Sequence, residues 1–187
     1  MNASPAPPAP PGARQLYPMA PLIRFTLLAL YLALVLPLPF LAPQPLRGPL
    51  ILALPLGLLL VIAATSERVE LDADGLRVGH PGWCAWLLRR GWSLPWSAVQ
   101  GLTPVATSQG GRVWYVRSQG GGRSFLLPQR VARFDDFLAR FGGATGVDTA
   151  AVGRISPPWT YQLLAGLCAA LLIAEVAGLA LLLPATP

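Results

Sequence analysis

The residues between 80 and 96, HPGWCAWLLRRGWSLPW, include most of the side chains of this protein that could do chemistry. They contain the only histidine, His80, one of the two cysteines, Cys84, and the adjacent Arg89 and Arg90. Histidine serves as a base or metal ligand, arginine binds phosphate and carboxylate groups, and tryptophan favours the bilayer surface. The stretch therefore offers a catalytic base, an anion-binding site or a membrane-surface anchor.

Catalysis and metal binding have little support in the sequence. Nucleophilic catalysis needs a base beside a nucleophile, and a single histidine such as His80 is more often structural or a surface residue. The acidic residues from Glu70 begin like a calcium loop, but the twelfth position is then Pro81, where calcium requires a bidentate glutamate. No Cys/His cluster suits zinc or haem. We therefore expect no enzyme activity, no metal and no cofactor.

Composition indicates a membrane protein, because 53% of the residues are hydrophobic and only 12% are charged. A soluble domain has about 25% charged residues. Residues 22–42, 50–66 and 159–183 are almost free of charge, and each approaches the roughly 20 apolar residues that cross a bilayer as a helix. The first segment has no small-residue cleavage motif, which favours a retained span over a removed signal peptide. Prolines 37, 39 and 55 predict a tight hairpin with kinked or shortened arms.

These segments divide the chain into six parts. Residues 1–21 form a Pro/Ala-rich tail, which predicts disorder or polyproline II structure. A transmembrane hairpin follows at 22–66, then a β domain with a capping helix at 67–143, a linker at 144–158, a third span at 159–183 and a short tail at 184–187.

The segment 67–143 has the pattern of a small antiparallel domain. The runs ERVEL, LRVGH, VQGLTPVAT, GRVWYVRS and RSFLLP predict short strands, with DADG and two Gly-rich loops as turns. The Gly-rich loops have no P-loop lysine, which favours turns over a phosphate site. Apolar residues then recur at helical spacing until Gly142 and Gly143, at Val131, Phe134, Phe137, Leu138 and Phe141. The sequence predicts an α+β membrane protein whose antiparallel barrel or sheet is capped by a C-terminal helix.

Two turns in this domain carry a resemblance to known families. VELDADGLRV followed by WSLPWSAVQGL resembles bacterial pleckstrin-homology-like (PH-like) domains on membrane hairpins, through the turns Asp74-Gly75-Leu76 and Leu94-Pro95-Trp96. RRGWSLPWSAVQGL, QGGRVWYV, FLLPQRVARF and SPPW resemble an uncharacterised family of cyanobacterial membrane proteins. The layout of a hairpin with a small β domain is also similar to the hairpin-anchored photosystem I assembly factor of thylakoids, from which the third span here differs.

The resemblance implies a non-enzymatic role in the assembly or maintenance of a membrane complex, such as photosystem biogenesis in a thylakoid or plasma membrane. The expected partners are the lipid bilayer and the subunits of that complex, and no nucleic acid. The alternative is a PH-like module that binds anionic lipid headgroups and senses or regulates the membrane.

Charge and cysteine usage indicate the side of the membrane. The net charge is +6, and all fourteen basic residues are arginines. Arg14 and Arg24 flank the first span on the side of the β domain, whereas the hairpin loop has only Arg47, which predicts a cytoplasmic tail and domain. Cys84 and Cys168 lie in separate parts of this topology, so we expect free thiols and a reducing compartment.

The aromatic stretch supplies the first candidate site, for docking on the membrane surface or on a partner: Trp83, Trp86, Arg89, Arg90 and Trp92. Tryptophan rings suit the interface, and arginine binds lipid phosphate. The alternative is structural, with Trp92 and Trp96 in the core and Trp83 and Trp86 over an edge strand. For Trp96 we favour the core, whereas for Trp83, Trp86 and the two arginines both interpretations stay open.

The third span supplies the second candidate site, for helix packing or a partner. Gly166, Ala170, Ala174 and Gly178 recur every four residues as a ridge of small side chains, which allows close helix approach. Glu175 lies beside this small-residue ridge near mid-membrane, where a charge costs about 2.5–3.5 kcal/mol, so we expect it to be protonated or partnered. We favour packing of the ridge on the protein's own hairpin. For Glu175, a contact with another protein and a bond to Tyr31 or a backbone carbonyl stay open.

Overall fold

A computed structural model describes residues 14–88, 91–108, 110–120 and 122–182 of the 187-residue chain, with only the backbone for 158 and 179–182. The described helices are α1 (Pro21–Val35), α2 (Leu38–Leu41), α3 (Gln44–Ala64), α4 (Gly82–Ala85), α5 (Phe134–Thr145) and α6 (Pro158–Leu182), with a 3-10 turn at Trp96–Ala98. The described strands are β1 (Gln15–Pro18), β2 (Arg68–Leu71), β3 (Gly75–Gly79), β4 (Trp92–Pro95), β5 (Val99–Ala106), β6 (Arg112–Ser118) and β7 (Ser124–Leu126).

The strands form two small antiparallel sheets, one of four strands in the order β1-β2-β3-β4 and one of three in the order β5-β6-β7. The predicted combination of helices and antiparallel sheet is confirmed. A closed barrel is not found, since no ladder joins the two sheets in the described parts of the chain. The 3-10 turn after Pro95 interrupts the chain between β4 and β5, and the Trp92 ring stacks on Phe125 with 4.8 Å between centroids. Side-chain packing rather than backbone hydrogen bonding therefore connects the edges β4 and β7.

Strand β1 precedes the helical hairpin and pairs with β2, which follows it, in the register Gln15↔Leu71 to Pro18↔Arg68. The prediction of a disordered or polyproline segment through residue 21 is therefore wrong from Gln15 to Pro18, whereas residues 1–13 lie outside the described residues. β1 forms because Tyr17 points into the core, where it is 0% exposed. Pro18 is tolerated because β1 is an edge strand.

Three helices are long and apolar enough to cross a membrane, by length and composition: Pro21–Leu41, Gln44–Ala64 and Trp159–Gly178, with mean hydropathies of 2.0, 2.1 and 1.7. Pro37 separates α1 from α2, as expected for a proline that cannot continue the hydrogen-bond ladder. The second arm is longer than predicted, because α3 begins at Gln44 and continues through Pro49 and Pro55.

The hairpin arms meet at Tyr31. Its hydroxyl donates to the carbonyl of Leu54, next to Pro55, at 2.6 Å. Gly57 leaves room for the ring, since a Cβ there would lie 2.3 Å from the Tyr31 hydroxyl. This hydrogen bond and the close approach at Gly57 hold the two arms of the hairpin together.

One core joins the two sheets and α5. The predicted aromatic stripe is confirmed, since Phe134, Phe137, Leu138 and Phe141 are all buried. Helix α5 extends to Thr145, past the predicted stop at Gly142 and Gly143, and ends where Gly146 adopts the left-handed conformation (φ 70°) that suits glycine. Val131 is buried outside the helix, in a bridge to Met19.

All three long helices join the same end of the two sheets, which we call the membrane end. Arg68 pairs with both Pro18 and Gly79, so the end of β1, the start of β2 and the end of β3 lie side by side. Helix α1 begins three residues after Pro18, and α3 ends four residues before Arg68. The Gln129 amide donates to Gly153 (2.7 Å) and to Arg112 (3.3 Å), which holds the start of β6 beside the segment that enters α6.

The two turns that carry the PH-like resemblance contact each other at the opposite end. The Trp96 indole N–H donates to the carbonyl of Asp72, and its backbone N–H donates to Asp74, both at 3.0 Å. A Cβ on Gly75 would lie 2.3 Å from the carbonyl oxygen of Leu94 on β4. Only glycine therefore allows β3 and β4 to approach this closely.

We predict that Gly75→Ala lowers the free energy of unfolding by about 1–3 kcal/mol, because the new methyl group pushes β4 from β3. The matched variant is Gly143→Ala, since Gly143 lies inside α5 with open space around its Cβ position. It should leave stability unchanged or raise it by up to about 1 kcal/mol. Chemical unfolding of the full chain in detergent, followed by tryptophan fluorescence, measures both, and equal effects would contradict the close approach at Gly75.

Strand β1 is joined to α5 by a partly buried hydrogen bond. The Tyr17 hydroxyl donates to the Asp136 carboxylate at 2.6 Å, and the Tyr17 ring packs edge-on against Phe137. Burial, together with this hydrogen bond, raises the pKa of Tyr17 to about 12. The hydrogen bond from Tyr17 lowers the pKa of Asp136. The folded state thus favours a neutral phenol beside an ionised carboxylate.

We predict that Tyr17→Phe lowers the free energy of unfolding by about 1.5–3 kcal/mol, as for loss of a hydrogen bond to a charged group. Because the pKa of Tyr17 is raised on folding, its contribution is complete below about pH 10 and is lost as the pH rises towards 12. Denaturant titrations between these pH values should therefore show a steeper loss of stability for the wild type than for Tyr17→Phe. In the control, Tyr115→Phe, the wild-type pH dependence should persist, and parallel profiles for wild type and Tyr17→Phe would contradict the assignment.

Candidate membrane-surface and partner-contact site

His80 lies at the membrane end, directly after β3. Its Nδ1 atom is buried and has no hydrogen-bond partner among the described residues. Within the same residues, no group of three or more His, Cys, Asp and Glu side chains could hold a metal. Cys84 and Cys168 are both buried as free thiols. Among the described residues, the Nδ1 atom of His80 therefore makes no hydrogen bond, including to any nucleophilic side chain.

The segment 80–91, which we call the aromatic loop, connects β3 to β4 at the membrane end. The short helix α4 turns Cys84 inward and leaves Trp83 and Trp86 outward, with 51% and 79% of their surfaces exposed. Leu87 is also exposed. The Trp86 indole N–H donates to the Trp83 carbonyl at 3.0 Å, which holds the two residues in one turn. Two large aromatic side chains therefore form an open surface, and Arg89 and Arg90 lie outside the described residues.

The aromatic loop lies close to the end of the long apolar helix α3. It follows Gly79, which pairs with Arg68, and Arg68 is four residues beyond the last residue of α3. Four extended residues span at most about 13–14 Å. Tryptophan rings favour the interface between headgroups and acyl chains, and the contact of Trp83 and Trp86 with a membrane surface stays a prediction.

Trp92 and Trp96 have structural positions. Trp92 pairs with Val78, whose side chain faces the core, and its ring stacks on Phe125. Trp96 meets the edge of Phe141 at 6.0 Å. The assignment of Trp92 to a docking surface is therefore wrong, because strand alternation turns its side chain inward.

Helix α6 packs on α1 through one of its faces. Thr26 on α1 donates to the Tyr161 carbonyl on α6 at 3.4 Å, and Ala33 and Cys168 are both buried. Both helices start at the membrane end, so they run parallel. This contact defines the packed face of α6, which contains Tyr161 and Cys168.

The small-residue ridge of α6 faces away from this contact. Gly166, Ala170 and Ala174 are exposed, and a Cβ added to Gly166 or Gly178 meets no atom within 4 Å. The expectation that the ridge packs on the protein's own hairpin is wrong. Ala170 lies two residues beyond the buried Cys168, which corresponds to about 200° around a helix, so the two residues occupy opposite faces.

Glu175 lies near the packed side of α6 and is half-buried. Its Oε2 atom is buried and has no hydrogen-bond partner among the described side chains and backbone. The expected bond to Tyr31 is not found, since the Tyr31 hydroxyl donates to Leu54. At 1.5 Å per residue Glu175 is roughly 25 Å along α6, about two thirds of its length and beyond the middle of the helix.

A known protein matches most of the chain. Over 157 residues the chain is 41% identical to an uncharacterised protein of Synechocystis sp. strain PCC 6803, with 81% of this chain and 78% of the relative covered. The chain belongs to the family of this protein. The predicted resemblance to an uncharacterised cyanobacterial family is confirmed, whereas the resemblances to PH-like domains and to the assembly factor stay predictions. No family model matches. No solved structure matches.

Sequence reasoning missed a cluster of charged side chains on the outer face of the four-stranded sheet. Glu70 on β2 forms ion pairs with Arg14 and with Arg68, and Arg77 lies opposite Glu70 on β3. The alternation of charged and apolar residues in RVEL indicates that Arg68 and Glu70 share the outer face. The sequence has no signal for Arg14, because its segment is joined to β2 by a pairing between residues some fifty positions apart in the chain.

We predict that Trp83 and Trp86 contact lipid in the reconstituted full chain. Their replacement in the double variant Trp83→Phe/Trp86→Phe should lower the fraction of tryptophan fluorescence that brominated acyl chains quench, because bromine quenches rings at the interface. The control is Trp114→Phe, since Trp114 is a buried core residue whose loss should raise or preserve that fraction. The same quenched fraction in the double variant as in the wild type would contradict a membrane contact of the aromatic loop.

Proposed function

We propose that this protein is a non-enzymatic, membrane-anchored factor for the assembly or maintenance of a membrane protein complex. The observation that carries this proposal is the division of α6 into a packed face and an open face. Cys168 and Tyr161 meet α1, whereas Gly166, Ala170 and Ala174 are exposed on the opposite side.

The exposed face of α6 favours contact with another helix inside lipid. A face of small residues offers lipid chains little contact area but lets another helix backbone approach closely, which favours helix association. Glu175, with one carboxylate oxygen that has no partner among the described residues, adds a polar group for which a hydrogen-bond donor on a neighbouring subunit would be favourable. Both features favour a lateral partner within the membrane.

We also propose that the partner is a photosynthetic complex, such as a photosystem during its biogenesis in the thylakoid or plasma membrane, since the matched relative comes from a cyanobacterium. We further propose that β1–β7 and α5 form a PH-like domain. Four strands plus three strands followed by a helix are in keeping with such a domain. Arg14 and Arg24 on one side of the hairpin against Arg47 on the other favour a cytoplasmic position for this domain.

We predict that Ala170→Leu removes partner subunits from the protein purified from its native membrane in mild detergent. The added side chain occupies the face that another helix would approach, so mass spectrometry should detect a defined set of membrane subunits with the wild type and at least about tenfold less with the variant. The matched control, Ala53→Leu, adds the same volume at an exposed position on α3 and should retain the subunits.

Glu175→Leu, tested in the same way, should lose subunits only if a partner donor reaches the carboxyl group, which lies near the packed side of α6 rather than on its open face. A partner-free chain in the wild type and in every variant would contradict an assembly role. It would favour the second candidate, an anionic-lipid-binding module that senses or regulates the membrane. The exposure of Trp83 and Trp86 at the membrane end supports this second candidate.

A further inference from the structure

The outer face of the four-stranded sheet carries a cluster of arginines that begins with Arg68 at the membrane end. Along β2, Val69 and Leu71 face the core, whereas Arg68 and Glu70 face outward. Arg77 on β3 pairs in register with Glu70 and is exposed. Three arginines, including Arg14 before β1, thus surround one glutamate.

Glu70 fixes two of these arginines. Its carboxylate is 7% exposed, and it binds Arg14 through one oxygen and the Nε of Arg68 through the other, at 3.2 Å. The hydrogen bond to Glu70 raises the pKa of Arg14. Arg77 forms no ion pair in the described part of the chain. The cluster therefore carries a net charge of about +2 with the carboxylate already engaged.

A recess of about 170 Å³ lies at this cluster, between Arg14, Arg68, Glu70, Arg77, Gly79 and His80. Gly79 pairs with Arg68 and has no side chain, so backbone forms that part of the recess. His80 also lines the recess, and its buried Nδ1 atom has no hydrogen-bond partner among the described residues. A buried polar atom without a partner is unfavourable, and an oxygen atom of a ligand would accept a hydrogen bond from a protonated Nδ1.

We propose that this recess binds the oxyanion of a membrane lipid headgroup, with Arg77, Arg68 and His80 as the contacting side chains. The planar guanidinium group donates two parallel hydrogen bonds to phosphate-type oxygens, and a net positive recess excludes cationic ligands. The site shares only His80 with the aromatic loop and includes neither the exposed tryptophans nor any residue of α6.

Proximity to the bilayer identifies the lipid as the source of the oxyanion. Arg68 follows the last residue of α3 by four positions, so the recess lies within about 15 Å of the end of a membrane helix. Lipid binding at this recess requires only that the long helices span the membrane. It is therefore compatible with either candidate function and does not depend on a partner complex.

His80 makes the site directly observable, because it is the only histidine in the chain. We would record the imidazole NMR signals of the full-length protein in an uncharged alkyl maltoside and add dihexanoyl phosphatidylglycerol. We expect a saturable shift of the His80 signals. Arg77→Gln should weaken the apparent affinity by about tenfold, and Arg47→Gln, which removes the same charge from an exposed position near the far end of α3, should not.

Inorganic phosphate, compared with chloride at equal ionic strength, separates the two sources of the oxyanion. A lipid shift at concentrations where phosphate has no effect identifies the headgroup as the ligand. If both probes saturate the His80 shift at similar concentrations, the recess binds an oxyanion, but its ligand is free phosphate rather than a lipid headgroup. No shift with either probe, or equal titrations of wild type and Arg77→Gln, would overturn the proposal.

Discussion

The pairing of β1 with β2 is the constraint on which the rest of the structure depends. It joins two chain segments separated by the whole hairpin and holds Pro18 and Arg68, a few residues outside the hairpin ends, at the spacing of neighbouring strands, about 4.8 Å. Tyr17 stabilises this pairing because its ring is buried in the core and its hydroxyl binds Asp136 on α5. The β domain is thus continuous with the base of the hairpin rather than attached to it by a flexible linker.

This constraint explains why so many features lie at one end of the sheets. With the ends of β1 and β2 fixed beside the hairpin, antiparallel alternation brings the β3–β4 connection, the aromatic loop, to the same end. The outer arginine cluster begins there too, at Arg68. Helix α6 starts beside them and packs on α1, which leaves its small-residue ridge open on the far side. One short ladder therefore positions a surface contact, a charged recess and a lateral helix face.

The local features of this protein could be read from its sequence, and the non-local ones could not. The charge-free segments and the aromatic stripe depend only on residue spacing within one element, and the structure agrees with both predictions. The stripe consists of the buried Phe134, Phe137 and Phe141. Strand β1 has four residues and forms only against a segment some fifty residues away, so its own composition indicates a tail. The orientation of the α6 ridge depends on which face α1 contacts, and the inward position of Trp92 depends on its pairing with Val78.

We propose above that the open face of α6 contacts a neighbouring membrane protein. A photo-crosslinking amino acid at Ala170, activated in the native membrane, tests it most directly, with the same amino acid at Ala53 on α3 as reference. We predict a discrete adduct with a membrane protein subunit from position 170 and none of that mass from position 53. The absence of any adduct from position 170, or the same adducts from both positions, would contradict the claim.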